Sequence, residues 1–531
     1  MSETSANESR LTARLDRWYP LIVILLIIVG AAARLIHLTL IDASVPFTLG
    51  GLYVEFAQQI AANAYRLPAT IPFYTDGGLP FAYPPLVFYA IAVLIHALGV
   101  DPFTVVVFLP PLIAILTLPS FVILTRQLEL SRPTQIVALA GFALLPSAFA
   151  EPITSDGLVE AFGLLALIWV LIAAARAYRS DSWRTALILA GLWGVGALIS
   201  PGLAYGLIPL MIVVGAADVI RAQDRGWVLR RWLVIGAVAL IVAAPYWLAV
   251  ITTHGPGVFT ATLINEQGGL STSLLRPLAP LVGVSNPAAL PTTTFWSGVV
   301  WNGLIYLGLI YALFTRRWLF ALTYVIFSAI PREGSWMVTV PAAVLAALAL
   351  TRGLIPLING WARDHLHRRA RRLLSAGVAL LLAANIVGSA ALTLDGMRAR
   401  AQIRPAHVAL MQQIAASDTI PAAARFIVVD IEPVIEWFPQ LARRTTLNVR
   451  FGAEWRPDEQ ARINALNGRI GGCRDLDCVF QAAHDLAYAY DPLYLLIGRA
   501  ALSRLEPAST LRAEIVLENE TAAVLRLSSE S

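Results

Sequence analysis

The sequence predicts a polytopic α-helical membrane protein with a small α/β domain at its C-terminal end, on the extracytoplasmic side. Three observations lead there. Apolar runs long enough to cross a bilayer recur between residues 20 and 394. Arginines mark alternate connections between these runs. After residue 394 the pattern changes to short strands mixed with helices.

The chain has 531 residues, 57% of them hydrophobic, and a mean hydropathy of +0.68. Soluble domains average about 45–50% apolar residues. The excess sits in runs such as Leu21–Val29, Val105–Leu124, Ala138–Leu145, Leu164–Ala175, Val234–Ala244 and Ala376–Ala384. A hydrocarbon core about 30 Å thick asks for roughly 20 apolar residues in a helix. The first run lacks a small-residue cleavage site and ends in Arg34 and His37, so it reads as an anchor and not a cleaved signal.

The net charge of +5 is carried by arginine, with no lysine in the chain. Most arginines lie between apolar runs and not on one soluble face, which excludes a nucleic-acid partner. Cations in short loops mark the cytoplasmic side. They cluster at Arg10, Arg14 and Arg17; at Arg126 and Arg132; at Arg176, Arg179 and Arg184; at Arg221, Arg225, Arg230 and Arg231; at Arg316 and Arg317; and from Arg363 to Arg372. The connections 41–103, 151–157, 200–202, 253–295 and 331–335 carry at most Arg66, Arg276 or Arg332.

The two kinds of loop alternate if the run 84–99 does not cross. It is short, opens on Pro84-Pro85 and contains His96, so it reads as an interfacial helix against the outer leaflet. That leaves about eleven transmembrane helices. They fall near 20–40, 104–125, 134–150, 158–176, 185–199, 203–220, 232–252, 296–315, 318–331, 336–351 and 373–394. The domain plan is a cytoplasmic N-terminus over 1–19, a membrane domain over 20–394 and a soluble domain over 395–531.

In the tail, Pro405–Ser417 and Glu432–Leu441 read as helices. Phe426–Asp430 and Leu493–Ile497 read as buried strands, and 515–517 with 522–527 as a terminal hairpin around Asn519 and Glu520. The alternation suggests an α/β domain. The only cysteines, Cys473 and Cys478, are close enough in a loop to form a disulfide in an oxidising compartment; two free thiols are the alternative. One such pair offers too few ligands for a metal.

Loop 41–103 is far longer than a connection between two helices needs, and long ordered loops usually carry function. It contains Asp42, then Leu49-Gly50-Gly51-Leu52-Tyr53-Val54-Glu55-Phe56-Ala57 opening an amphipathic helix, then Tyr74, Asp76-Gly77-Gly78, and Tyr83-Pro84-Pro85-Leu86. The next outer loop reads Ile153-Thr154-Ser155-Asp156-Gly157-Leu158, flanked by Glu151 and Glu160. An acid-bearing segment after the first helix, Tyr and Ala at this spacing, and Pro-Pro-Leu opening an interfacial helix resemble the GT-C superfamily of membrane glycosyltransferases. Protein O-mannosyltransferases and aminoarabinose transferases belong to it. The resemblance covers 20–200 best and extends loosely to Pro331-Arg332. It implies a GT-C-like fold. One departure is clear. Those families usually place Asp, often Asp-Glu, just before the amphipathic helix, where this chain has Leu49-Gly50-Gly51.

The resemblance implies transfer of a sugar from a polyprenyl-phosphate donor, among membrane lipids, to a glycan, lipid or protein acceptor. An inverting transfer needs a carboxylate to take the acceptor proton and cations to hold the phosphate. Glu55 is the first expectation for the base, with Asp76 and Asp42 as alternatives and Asp156 organising the site. A solvated helix carboxylate, a turn residue and helix caps are the competing plain readings of these acids. Arg332 and Arg34 are expected to bind the donor phosphate, with interfacial anchoring and snorkelling as the alternatives. His254 and Tyr53 are expected beside the donor. His365 and His367 sit among cytoplasmic arginines and belong to the orienting charge. A divalent cation on Asp156 and Glu55 is an option the sequence leaves open, with no metal-spaced motif behind it. Two other readings stand: a catalytically inactive lipid-binding or assembly protein of the same fold, and a transporter. The enzyme reading requires the carboxylates of the first two outer loops to converge on a cationic pocket.

Overall fold

The computed structural model describes residues 2–39, 42–145, 148–259, 295–330, 334–399 and 402–529. The helices in chain order are α1 (Ser2–Leu35), α2 (Gly51–Ala62), α3 (Leu86–Ala92), α4 (Pro102–Gln127), α5 (Arg132–Leu144), α6 (Leu158–Ala177), α7 (Trp183–Ala197), α8 (Pro201–Arg221), α9 (Arg225–His254), α10 (Phe295–Phe314), α11 (Trp318–Ser328), α12 (Gly334–Met337), α13 (Thr339–Leu348), α14 (Ile355–His365), α15 (Arg368–Ala399), α16 (Pro405–Ala416), α17 (Glu432–Ala442), α18 (Pro457–Ile470), α19 (Leu476–His484) and α20 (Arg499–Leu502). The strands are β1 (Thr70–Ile71), β2 (Leu79–Pro80), β3 (Arg425–Val429), β4 (Thr445–Thr446), β5 (Leu493–Gly498), β6 (Leu511–Glu518) and β7 (Ala522–Ser529).

Among the described residues, six helical stretches are long and apolar enough to cross a membrane: Asp16–Thr39, Pro102–Gln127, Leu158–Ala177, Pro201–Arg221, Arg225–His254 and Thr339–His365. Other expected crossings are shorter as helices, with α5 spanning 13 residues, α7 15 and α11 11. The expected span 336–351 continues instead to His365. Pro356 cannot donate a backbone hydrogen bond, and the helix absorbs it through a wide π-type turn over Ala349–Leu354. The run 84–99 folds as α3 plus one wide turn to Ala97, too short for roughly 20 residues of hydrocarbon.

The chain forms two compact units. The first comprises 1–40, 110–244 and 268–399. Its core is built from Leu118, Phe121, Phe142, Leu164, Leu207 and Trp336, among others. Rings Phe121 and Phe142 stack at 4.2 Å.

The second unit comprises 41–109, 245–267 and 400–531, so the first long loop and the tail fold together. Its five-stranded sheet has the order β4-β3-β5-β7-β6. Strand β3 is parallel to β4 and β5, and β7 is antiparallel to β5 and β6. The near-continuous apolar runs of β3 and β5 reflect burial on both faces. One core layer mixes Val45, Val54 and Val106 with tail residues Met411, Phe426, Trp437 and Phe438. The expected tail helices and strands are present. Helices α18 and α19 complete the domain, the first opened by Pro457, Asp458 and Glu459, the second capped by Asp475 on the Cys478 N–H at 2.7 Å. Cys473 and Cys478 form a disulfide.

Candidate active site

The candidate residues divide between the two units, and each set is described in its own unit. Asp42, Tyr53, Glu55, Asp76 and His254 lie in the second unit; Arg34 and Asp156 lie in the first. Arg332 lies outside the described residues.

Helix α2 carries the amphipathic sequence that follows Gly50-Gly51. Its first N–H groups have no partner within the helix, and glycine at the N-cap supplies no side chain. The Glu436 carboxylate of α17 fills this position. It accepts the N–H groups of Gly50 at 3.1 Å, Gly51 at 2.9 Å and Leu52 at 2.6 Å. Gly50 is required by its backbone, and Gly51 is closely packed. Gly50 has φ of 146°, which L side chains avoid. A Cβ on Gly51 would lie 3.0 Å from the Trp437 Cα and 3.1 Å from Glu436 Oε2. The segment Leu49-Gly50-Gly51, which has no acid of its own, thus receives a carboxylate from the tail, engaged in capping.

One turn further along, the Glu55 side chain is fully buried. Arg443 Nη1 donates to both its oxygens at 2.9 and 2.8 Å, and Gln59 Nε2 donates at 2.8 Å. The Arg443 Nη2 donates to Gln58 Oε1 at 2.6 Å. Arg443 terminates α17 in the left-handed region with φ of 51°, and it keeps 40% of its side chain exposed. Burial raises the Glu55 pKa above the ordinary carboxylate range, and it outweighs Arg443 and Gln59, which pull it down. Tyr74 is fully buried, and its hydroxyl has no hydrogen-bond partner among the described residues. Burial and the nearby charges of Glu436 and Glu55 push its pKa well up, against Arg443.

Asp76 sits in the turn between β1 and β2. Its Oδ1 accepts from Arg425 Nε at 2.7 Å, and its Oδ2 accepts the Tyr490 hydroxyl. Burial alone would raise its pKa, but these two bonds hold it below the usual value. The same turn is clasped by Arg456 Nη1 on the Gly78 carbonyl at 3.1 Å and by the Thr446 N–H on the Phe73 carbonyl at 2.9 Å. Asp42 is exposed and folds back on Ser44, accepting its N–H at 3.0 Å and hydroxyl at 2.6 Å; these bonds lower its pKa. Tyr53 packs its ring 5.5 Å from Phe88 and 6.5 Å from Tyr83. His254 ends α9 and hydrogen-bonds the Ala69 backbone.

In the first unit Arg34 is fully buried. Its guanidinium donates to the carbonyls of Ala143 at 2.9 Å, Phe142 at 3.2 Å and Gly30 at 3.0 Å. Phe142 and Ala143 end α5, so Arg34 caps that helix C-terminus and meets the negative end of its dipole. The rings of Phe142 and Phe149 lie 5.8 and 5.1 Å from the cation. Asp156 is half-buried in the turn before α6, whose N-cap is Gly157. A Cβ on Gly157 would lie 1.8 Å from the Glu151 carbonyl, so the turn closes only around glycine.

Among the described residues, no three His, Cys, Asp or Glu side chains stand together as metal ligands. Glu55 suits a cation poorly, because a guanidinium already occupies both its oxygens. Sequence reasoning missed Arg443, Arg425, Tyr490 and Glu436. The first three lie about 350–415 positions from the acids they bind, and no local spacing reports such pairings.

No protein-family model matches the sequence, and no curated protein does. Solved structures do match. The oligosaccharyltransferase AglB of Archaeoglobus fulgidus, in complex with an inhibitory peptide and a dolichol-phosphate, superposes with a TM-score of 0.56 at 14% identity, over 91% of this chain and 70% of AglB. ArnT of Cupriavidus metallidurans, bound to undecaprenyl phosphate, gives 0.54 at 18% identity, over 95% and 97%. The arabinofuranosyltransferase AftD from Mycobacteria gives 0.56 at 13% identity, over 97% of this chain and 40% of AftD. Another AglB structure contains Zn and sulfate. At these identities the likeness is one of fold. The chain has the GT-C fold of membrane glycosyltransferases and is a multi-pass membrane protein.

Proposed function

We propose that this protein is a glycosyltransferase that moves a sugar from a polyprenyl-phosphate donor to an acceptor, with Glu55 as the base. The fold supports the class, and the polyprenyl phosphates bound to AglB and ArnT suggest the donor. The observation that carries the choice of base is the contrast between two carboxylates. Glu55 is desolvated and its pKa is raised, toward the neutral pH where a general base works best. Asp76 is held ionised by Arg425 and Tyr490, which suits an anchor of the loop. Asp42 turns back on Ser44 in solvent, so it is the weaker alternative.

Asp156, in the turn before α6, is retained as a second candidate acid. Arg34 is read as a helix cap, with Arg332 kept as a donor-phosphate candidate. No step is assigned to a divalent cation. The proposed orientation places the N-terminus in the cytoplasm and the tail outside, on the arginine pattern.

A second reading is favoured by one observation. The position of the family acid holds Gly50-Gly51 capped by Glu436, as in a lipid-binding protein that has lost catalysis. The test is sugar transfer by purified protein in lipid nanodiscs, with labelled polyprenyl-phosphate sugars and membrane-extracted acceptors. Release of polyprenyl phosphate with matching sugar transfer supports the enzyme. Donor binding without turnover supports the lipid-binding protein.

A further inference from the structure

Resting on that reading, we infer that Arg443 serves two anions in turn, first the carboxylate of Glu55 and then the phosphate of the departing lipid carrier. In the free protein both acceptors of Glu55 take hydrogen bonds from Arg443 Nη1. A guanidinium has five N–H donors. Three are accounted for by Glu55 and Gln58. The rest lie on a side chain that is 40% exposed while its partner is wholly buried. Arg443 is therefore a half-open cation whose charge is neutralised only while Glu55 is ionised.

The reaction changes that balance without adding net charge. The acceptor O–H proton passes to Glu55, and the acceptor oxygen bonds to the anomeric carbon. The bond from that carbon to the phosphate oxygen breaks, and its electron pair stays on the phosphate. A phosphodiester with one negative charge leaves as a monoester that can carry two. One negative charge disappears at Glu55 as another appears on the phosphate, and a forked guanidinium can bind either.

Two features of the surroundings fit a lipid-linked phosphate, one for the phosphate and one for its lipid chain. The buried Tyr74 hydroxyl lacks a partner among the described residues and senses Glu55, Glu436 and Arg443. A buried hydroxyl of this kind needs a ligand or water to satisfy it. Helix α3, whose Phe88 packs 4.8 Å from Phe56 of α2, leaves Leu86 exposed, as are Val93 and Leu98 just beyond its end, an apolar surface suited to the hydrocarbon chain of a lipid carrier.

The groups acting on Glu55 are Arg443, which ends α17, and Gln59, one turn further along α2; Tyr74, from the loop after β1, senses Glu55, Glu436 and Arg443, and the Tyr89 hydroxyl of α3 donates to the Tyr65 carbonyl. The test is equilibrium binding of undecaprenyl phosphate in nanodiscs, and of inorganic phosphate in solution, to the full-length protein. Glu55→Gln leaves Arg443 unneutralised, and undecaprenyl phosphate should bind about two- to fivefold more tightly than to wild type, the range of a partly exposed ion pair. The gain should vanish in Glu55→Gln/Arg443→Gln. Wild type gives a second measurement that needs no variant. Acidification removes charge from the phosphate and by itself weakens binding, so binding that tightens as the pH falls from 7 to 5 reports the release of Arg443. No gain in Glu55→Gln, a gain that survives loss of Arg443, or a gain confined to inorganic phosphate would each overturn the inference. None of these readouts requires sugar transfer, so a protein that binds as stated but never turns over would sink the catalytic reading alone.

Discussion

The carboxylate of Glu436 receives the backbone N–H of Gly51 at 2.9 Å across 385 positions of sequence. It stands at the positive end of the α2 dipole and satisfies three N–H groups that the helix cannot. The tail therefore sets the start of the helix that bears Glu55. Replacing Glu436 with Ala should cost about 3 kcal/mol, the scale of a buried charge-assisted network. Hydrogen exchange should locate the loss at Gly51 and Leu52; protection there equal to wild type would remove Glu436 from this role.

Glu55 and Arg443 give a prediction with a definite pH sign. In Arg443→Ala the buried carboxylate loses its counter-ion, so its folded-state pKa, already raised, rises further. An acid whose folded pKa lies above its unfolded value loses folding stability as pH climbs past the unfolded value. Arg443→Ala should thus be destabilised by about 1–3 kcal/mol at pH 8 and by less at pH 5, the figure discounted because Arg443 is part-exposed. Thermal unfolding at the two pH values measures the difference. An equal loss at both would mean that Glu55 is not the group involved.

Asp76 carries the opposite sign. Tyr490 and Arg425 hold its folded pKa below the unfolded value, so its contribution is present above the unfolded pKa and fades as pH falls through the folded one. Asp76→Asn should lower stability by less than about 1 kcal/mol at pH 7. The gap should close on acidification below about pH 4. A gap that widens in acid would contradict the ion pair with Arg425.

Arg34 is predicted to act on the fold. Its three carbonyl partners end α5 and line α1, and Arg34→Gln cannot reach all of them with one amide. The variant should unfold about 2 kcal/mol more easily in detergent. Its folded fraction should bind undecaprenyl phosphate as wild type does. A selective loss of lipid binding with normal stability would return Arg34 to the donor site.

The fold was legible where a physical period or boundary was written locally. Apolar length gave the helices α4, α6, α8 and α9, and the buried runs at Phe426 and Leu493 gave the central parallel strands. The run opening on Pro84-Pro85 folds as a short helix, as its length implied. Two things escaped. The span expected over 336–351 stopped short, because a wide turn carries the helix past Pro356 to His365. The pairing of loop and tail left no local mark: Glu55 reads as a solvated helix carboxylate until Arg443 is seen to cover it, and Gly50-Gly51 reads as a lost acid until Glu436 is seen to fill the space. The acids were visible; their partners, hundreds of residues away, were not.

The central claim is that Glu55 accepts the proton of the acceptor during sugar transfer. Its most direct test is single-turnover transfer from a polyprenyl-phosphate sugar, comparing wild type with Glu55→Gln at equal folded concentration. A positioned general base contributes about 10²–10⁴-fold, so the rate should fall by that order while donor binding persists. A Glu55→Gln protein that transfers sugar within a few-fold of the wild-type rate would contradict the account.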